Sequence, residues 1–290
     1  MAQHQQTVSE VRENRLSTKT KVIFGLGDYL NTVTYGMIGA FLMAFLTDVS
    51  LVPMAAVTAI LSLSKLWDAI NDPIIGILID KSRSPQGVYR PWLVRMMIPF
   101  AVSNILLWVP IADWGETTKI AYVAVIYCLY FVFFTAYHIA YGSLGGTMTQ
   151  NTDDRGKLYG YRLGTSQLLY WLLAVLWLPF IGVLMNSGMT MNMAYFVAAA
   201  VFTLPGLIFA VLLYKNSTEV VAPPESTKLP ANLLVQFIIK NPALMMCMLG
   251  QFVYGIYSYG RQNVMMYYFT YNAGDQSLFT LYNFIAIGCG

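Results

Sequence analysis

Two carboxylates a helical turn apart in an apolar stretch are the first residues in this sequence that could do chemistry. Asp68 and Asp72 belong to the run Lys65-Leu66-Trp67-Asp68-Ala69-Ile70-Asn71-Asp72-Pro73. With Lys65 they follow an i, i+3, i+7 pattern, which puts all three on one face of a helix. Carboxylates this close repel each other unless a cation or a proton sits between them. Oxygen-rich ligation suits Na⁺, and a pair with one raised pKa suits proton carriage. Asn71 adds a neutral oxygen at the edge of the same face. Pro73 leaves the Ala69 carbonyl without its helical donor and so adds another possible ligand. The competing reading is a structural cluster in which Lys65 neutralises one aspartate, but one lysine cannot neutralise two. The expected site is therefore for a monovalent cation, with Asp68 and Asp72 as its charged ligands.

Other ionisable groups interrupt apolar stretches, where each costs about 2.5–3.5 kcal/mol and faces a cavity or a partner. Asp28 follows Gly25-Leu26-Gly27, with Asn31 one turn on. The glycines permit close helix approach. Asp28 belongs either to a polar lining or to a structural pair with an arginine. His138 lies within FFTAYHIAYGSLGG, as a buried polar residue or a functional one. Arg162 and Arg261 have the fork geometry for hydroxyls or carboxylates. Each could equally be a charge lock at a helix end.

These residues need elements that keep them out of water, and the composition provides them. Of 290 residues, 57% are hydrophobic and only 11% charged, against roughly a quarter charged in soluble domains. That excludes a soluble enzyme, and a net charge of +3 gives no reason to expect a nucleic-acid partner. The partner it implies is a lipid bilayer. Cys128, Cys247 and Cys289 sit in apolar runs and read as small hydrophobes. Residues 1–20 are polar, with no apolar core of the secretory kind, so the first apolar segment is expected to stay as a spanning helix. Spans of about 20 residues are expected near 23–47, 53–79, 92–112, 118–145, 163–185, 190–214 and 243–270. An eighth begins near 277, too short to cross, so the chain is expected to be a truncated protein.

Arg12, Arg15, Lys19, Lys21, Lys81, Arg83, Arg90, Arg155, Lys157, Lys215, Lys228 and Lys240 fall on alternate loops. The positive-inside rule makes those loops and the N-terminus cytoplasmic, in a multi-pass cell-membrane protein. The expected organisation is a cytoplasmic segment 1–22, a six-helix bundle 23–214, a cytoplasmic linker 215–242 and the start of a second bundle, 243–290. The sequon Asn216-Ser217-Thr218 lies inside and reads as chance. A shift of 223 residues sets 27–48 on 250–271, with Gly27 on Gly250, Met43 on Met266 and Phe45-Leu46-Thr47 on Tyr268-Phe269-Thr270. A linker followed by a weak repeat of the first span is what a two-halved transporter shows.

The string Trp67 to Pro73, followed by Asp80-Lys81-Ser82-Arg83-Ser84 and Tyr89-Arg90-Pro91-Trp92, resembles the glycoside–pentoside–hexuronide:cation symporter family, which includes melibiose permease. Gly25 to Asp28, Tyr141-Gly142-Ser143-Leu144 through Arg155 to Arg162, and Tyr259-Gly260-Arg261-Gln262-Asn263 extend the resemblance along the chain. It implies an all-α major facilitator-type bundle of twelve spans, of which this chain holds the N-terminal six plus about two. It implies that Asp68, Asn71, Asp72 and Thr135 bind Na⁺, Li⁺ or H⁺, and that Arg162 contacts sugar. Two sugar-contacting aspartates of melibiose permease fall at Thr32 and His138, and a tryptophan falls at Gly142. A galactoside of the melibiose type is therefore not expected. Another glycoside, pentoside, uronide or modified sugar is, and His138 beside Arg162 favours an acidic one.

The expected function is cation-coupled sugar symport by alternating access, with Na⁺ or H⁺ as the coupling ion and no other cofactor. The substrate set is Asp28, Asn31, Thr32, His138, Arg162 and Arg261. Lys65 and the loop residues Asp80, Arg83 and Arg90 serve gating or structure. An uncoupled facilitator or a lipid-type transporter of the same fold is the alternative. Gly25-x-Gly27-Asp28 and Pro242-Ala243-Leu244 also match short motifs of intramembrane aspartyl proteases. The Tyr-Asp dipeptide that such an enzyme requires is missing from the sequence, so no enzymatic activity is expected.

Overall fold

The computed structural model describes residues 15–82, 84–221, 239–275 and 277–288. Arg12, Arg83, Lys228, Cys289 and most of the expected linker lie outside them. The described residues are helical and form an all-α bundle. The first span is α1 (Thr18–Gly27) and α2 (Tyr29–Met37), continued by π-helical turns at Ile38–Leu42 and Phe45–Val49. There follow α3 (Met54–Lys81), α4 (Arg90–Leu106), α5 (Glu116–Thr147), α6 (Thr152–Asn186) and α7 (Met191–Asn216). After the linker come α8 (Pro242–Tyr267), a π-helical turn at Tyr268–Asn272, and α9 (Ser277–Gly288). Each expected apolar segment is helical. The third is shorter than expected: α4 ends at Leu106, before Pro110, whose ring bars a continuing helix. Among the described residues three helices (α5, α6 and α7) are individually long and apolar enough to cross a membrane. The charges of α3 and the break between α1 and α2 keep those spans below the same measure.

Local signals set the helix starts. Ser17 accepts from the Thr20 N–H at 3.1 Å, Asn151 from the Asp153 and Asp154 N–H groups, and Asn241 from Leu244. These side chains satisfy donors that a helix start leaves open. The start of α4 is capped from a distance. Both carboxylate oxygens of Glu219, just past α7, accept the Val88, Tyr89 and Arg90 N–H groups at 2.8–2.9 Å. Gly87 makes room for this, with φ +107° and a position where a Cβ would strike the Glu219 carboxylate.

Alternating connections put the termini of the helices at two ends. The basic end holds the start of α1, the loop around Gln86 and residues 217–221 after α7. The far end holds the turns at 49–53, 107–115, 187–190 and 273–275. At the basic end Lys21 Nζ donates to Asp154 Oδ1 at 2.6 Å, both side chains being buried. Leu16 N–H donates to the other oxygen at 2.9 Å. Asp154 precedes the apolar part of its helix, and the hydrogen bond from Lys21 holds its carboxyl below the usual range. A carboxyl depressed by folding adds stability that is full above its unfolded pKa and is lost as pH falls through the folded one. Lys21→Met is expected to lower the thermal midpoint at neutral pH and to leave it nearly unchanged in acid. A pH series of melting curves on both proteins checks this.

The core is aromatic. Trp108, Trp177, Tyr195, Phe41 and Phe45 pack ring on ring near the far end. The first span lies between α6 and α7, while α5 packs on α3 and α4. Gly25 and Gly27 are sites of close helix approach: a Cβ on Gly25 would lie 2.9 Å from the Tyr161 carbonyl oxygen, and one on Gly27 2.6 Å from Leu213. The close approach expected from those glycines is thus present.

Candidate functional site

The first span breaks at Asp28. Gly25 and Gly27 weaken the helix before it. The Asp28 N–H turns to the Gly25 carbonyl, at 3.2 Å. Two carbonyls of this broken turn take side-chain donors from α5. Tyr141 donates to Phe24 O at 2.6 Å and Tyr137 to Gly27 O at 3.1 Å.

The break aims the Asp28 side chain at α6. Arg162 Nε donates to Oδ2 at 3.0 Å and Nη2 to Oδ1 at 3.5 Å. Ser166 Oγ donates to Oδ2 and Asn31 Nδ2 to Oδ1, both at 2.8 Å. Of the two roles open to Asp28, pairing with an arginine is realised, and the carboxylate lines a cavity as well. The Arg162 guanidinium stacks over Tyr141 at 4.7 Å, bordered by Gly142, where a larger residue would approach it. Arg162 therefore stands behind Asp28 and is not part of the cavity wall. Its charge is matched by Asp28 in this arrangement.

The cavity has a volume of about 570 Å³, within the few hundred to a thousand Å³ usual for small-ligand sites. Asp28, Asn31 and Thr32 from the first span, Asp72 from α3, and Phe134 and His138 from α5 line it, with Ser166, Gln167 and Tyr170 from α6. His138 stacks on Phe134 at 5.3 Å. The Asn31 Oδ1 atom is buried and has no hydrogen-bond partner.

The α3 cluster lies beside this cavity. Thr135 Oγ1 donates to Asp72 Oδ1 at 2.8 Å across α3 and α5. Lys65 Nζ reaches Asp68 Oδ2 at 3.5 Å and sits 4.5 Å from the Phe131 ring centroid. Asp68 Oδ1 is buried without a partner, and so is Asn71 Nδ2. An amide turned end for end would put the Asn71 oxygen in place of that nitrogen. Among the described residues no group of three or more His, Cys, Asp or Glu gathers as a metal cluster.

Three expected residues lie elsewhere. Arg261 faces a separate cleft of about 20 Å³ with Met265, Phe279 and Asn283; Tyr170 lines both spaces. Arg90 donates to the Tyr214 carbonyl at 2.9 Å and lies over its ring, so it ties α4 to the end of α7. Asp80 is exposed at the basic end of α3. Sequence reasoning missed Ser166, Gln167, Tyr170, Tyr137, Tyr141 and Glu219. Ser166 follows Arg162 by one turn, and that spacing is a usable signal. Nothing in the sequence marks Glu219 as a cap for a helix more than a hundred residues earlier.

A helical bundle that buries a charge pair beside a cavity lined from several apolar helices is the architecture of a membrane transport protein. Residues 23–290 match the family described as MFS/sugar transport protein, the major facilitator type, and the chain belongs to that family. It is 31% identical to the uncharacterised symporter YjmB of Bacillus subtilis (strain 168), over 97% of this chain and 61% of that protein. It is 27% identical to the glucuronide carrier protein homolog of Escherichia coli (strain K12), over 92% and 58%. It is 23% identical to the isoprimeverose transporter of Lactiplantibacillus pentosus, over 94% and 57%. These relatives are transporters, not enzymes. The chain spans about three fifths of their length.

Proposed function

We propose that this chain carries the cation site and much of the sugar site of a symporter that works by alternating access. The coupling ion, Na⁺ or H⁺, is held by Asp68, Asp72 and Thr135, with Asn71 completing the set. The sugar, glycoside or uronide occupies the adjoining cavity, against Asp28, Asn31, Thr32 and His138. The observation that carries the reading is Asp72: it accepts the Thr135 hydroxyl at 2.8 Å and also lines the cavity. An ion that neutralises Asp72 thereby changes the wall the sugar meets. The linkage is reciprocal, so each ligand raises the affinity for the other by the same factor. Asn31 Oδ1 supports the sugar side, being a buried acceptor open to a hydroxyl donor. Arg261, in its own cleft, belongs to the second bundle's share of the pathway. Residues 23–214 form the first bundle in this reading, with the N-terminus and basic end in the cytoplasm.

The test is uptake into membrane vesicles under an imposed Na⁺ or pH gradient, with a labelled pentoside and a labelled uronide. Concentrative uptake is expected with one gradient and is expected to vanish in Asp68→Asn. Accumulation that survives Asp68→Asn removes the assigned cation site.

A further inference from the structure

We infer that Asp48 and Tyr271, supported by Thr47 and Tyr267, are the gate that closes the far end of the transport pathway. The inference rests on the transport reading but not on the identity of sugar or ion. A shift of 223 residues carries the π-helical turn Phe45–Val49 onto the π-helical turn Tyr268–Asn272. Asp48 and Tyr271 therefore occupy the same position in the two repeats, and they touch. Tyr271 OH donates to Asp48 Oδ2 at 3.0 Å. Thr47 Oγ1 donates to Asp48 Oδ1 at 2.6 Å, and the Thr47 and Tyr267 hydroxyls lie 3.0 Å apart. The Tyr267 and Tyr271 rings stack at 6.1 Å.

Two further observations make this contact a gate. Each of the two spans ends in a single π-helical turn, and the contact joins those two turns. Among the described residues, α8 packs on the first span at Ile38–Leu42, its far half, and not substantially on α1 or α2. The two helices meet at the far end and diverge toward the basic end. Tyr271 is 65% exposed, so water competes for its hydrogen bond and the contact can break and remake in each cycle. Rocking the two bundles would separate two equivalent helix ends, which is how an axis between repeats acts.

The experiment is thiol accessibility, which needs neither sugar nor coupling ion. Cys128, Cys247 and Cys289 are replaced by serine. A single cysteine is placed at Leu163 on the cavity wall, and a control cysteine at Met189 in a far-end turn. Membrane vesicles of each orientation are treated with a membrane-impermeant maleimide. The Leu163→Cys protein is expected to react from the basic end and poorly from the far end. Tyr271→Phe, which keeps the ring and removes only the hydroxyl, and Asp48→Asn are each expected to raise the far-end rate several-fold. The Met189→Cys control should be unaffected by either change. An unchanged far-end rate in both variants overturns the gate, as does a parent that reacts equally from both ends or not from the basic end. Loss of the cation site in the Asp68→Asn uptake experiment would leave this result standing, so the two readings fail separately.

Discussion

Asp28→Asn is expected to destabilise the protein by about 3–5 kcal/mol, the cost of breaking a buried pair from one side. The side chains of Asp28 and Arg162 are 6% and 18% exposed. Asparagine keeps the shape but leaves the guanidinium with no carboxylate. Ser166 and Asn31 also lose a charged acceptor for one of their hydrogen bonds. Arg162→Gln is expected to cost a comparable amount. The double variant Asp28→Asn with Arg162→Gln is expected to recover part of the loss, because no uncompensated charge remains; effects within one network are not additive. Thermal unfolding in detergent on all four proteins gives the cycle. Single variants that melt with the parent would mean that water screens the pair. Binding should not recover in the double variant, since Asp28 also lines the cavity.

The second large effect belongs to Asp72. A monovalent cation about 4 Å from a carboxylate gains roughly 4 kcal/mol at an effective dielectric near 20. Desolvation offsets much of that. If about a third survives, Asp72→Asn weakens cation binding about tenfold. Thr135→Ser, which keeps the hydroxyl, is expected to bind nearly as the parent does, whereas Thr135→Val loses the oxygen. Isotopic Na⁺ binding, or displacement of bound protons by Na⁺, measures the change. Parent-like cation affinity in Asp72→Asn would move the site away from α3.

Much of the fold was legible because the bilayer imposes a strong rule: apolar segments of spanning length must be helical. The face shared by Lys65, Asp68 and Asp72 was legible from helical spacing, and the closeness of α1 to its neighbours from two glycines. The 223-residue shift, weak in letters, reappears as two π-helical turns in register. What was not legible is tertiary. The break at Asp28 depends on Tyr137 and Tyr141, over a hundred residues away, which take carbonyls a continuous helix would not offer. Arg162 carries the same letter whether it meets substrate or Asp28, and only the packing of α6 on the first span decides. For Arg90 the sequence leaves gating and structure open. The residue holds α4 to α7 within one half, because Glu219 folds back to cap the same turn.

Those two tyrosines also decide what kind of joint the first span contains. A helix interrupted by two glycines and an aspartate would ordinarily be a soft elbow. Here the interruption and the turn before it are pinned: Phe24 O and Gly27 O by hydroxyls of α5, and Asp28 by the guanidinium and hydroxyl of α6. Bending at that point would break bonds to two neighbouring helices at once. The first span is thus tied at this one point to both α5 and α6, so a displacement of either helix bears directly on the carboxylate that lines the cavity.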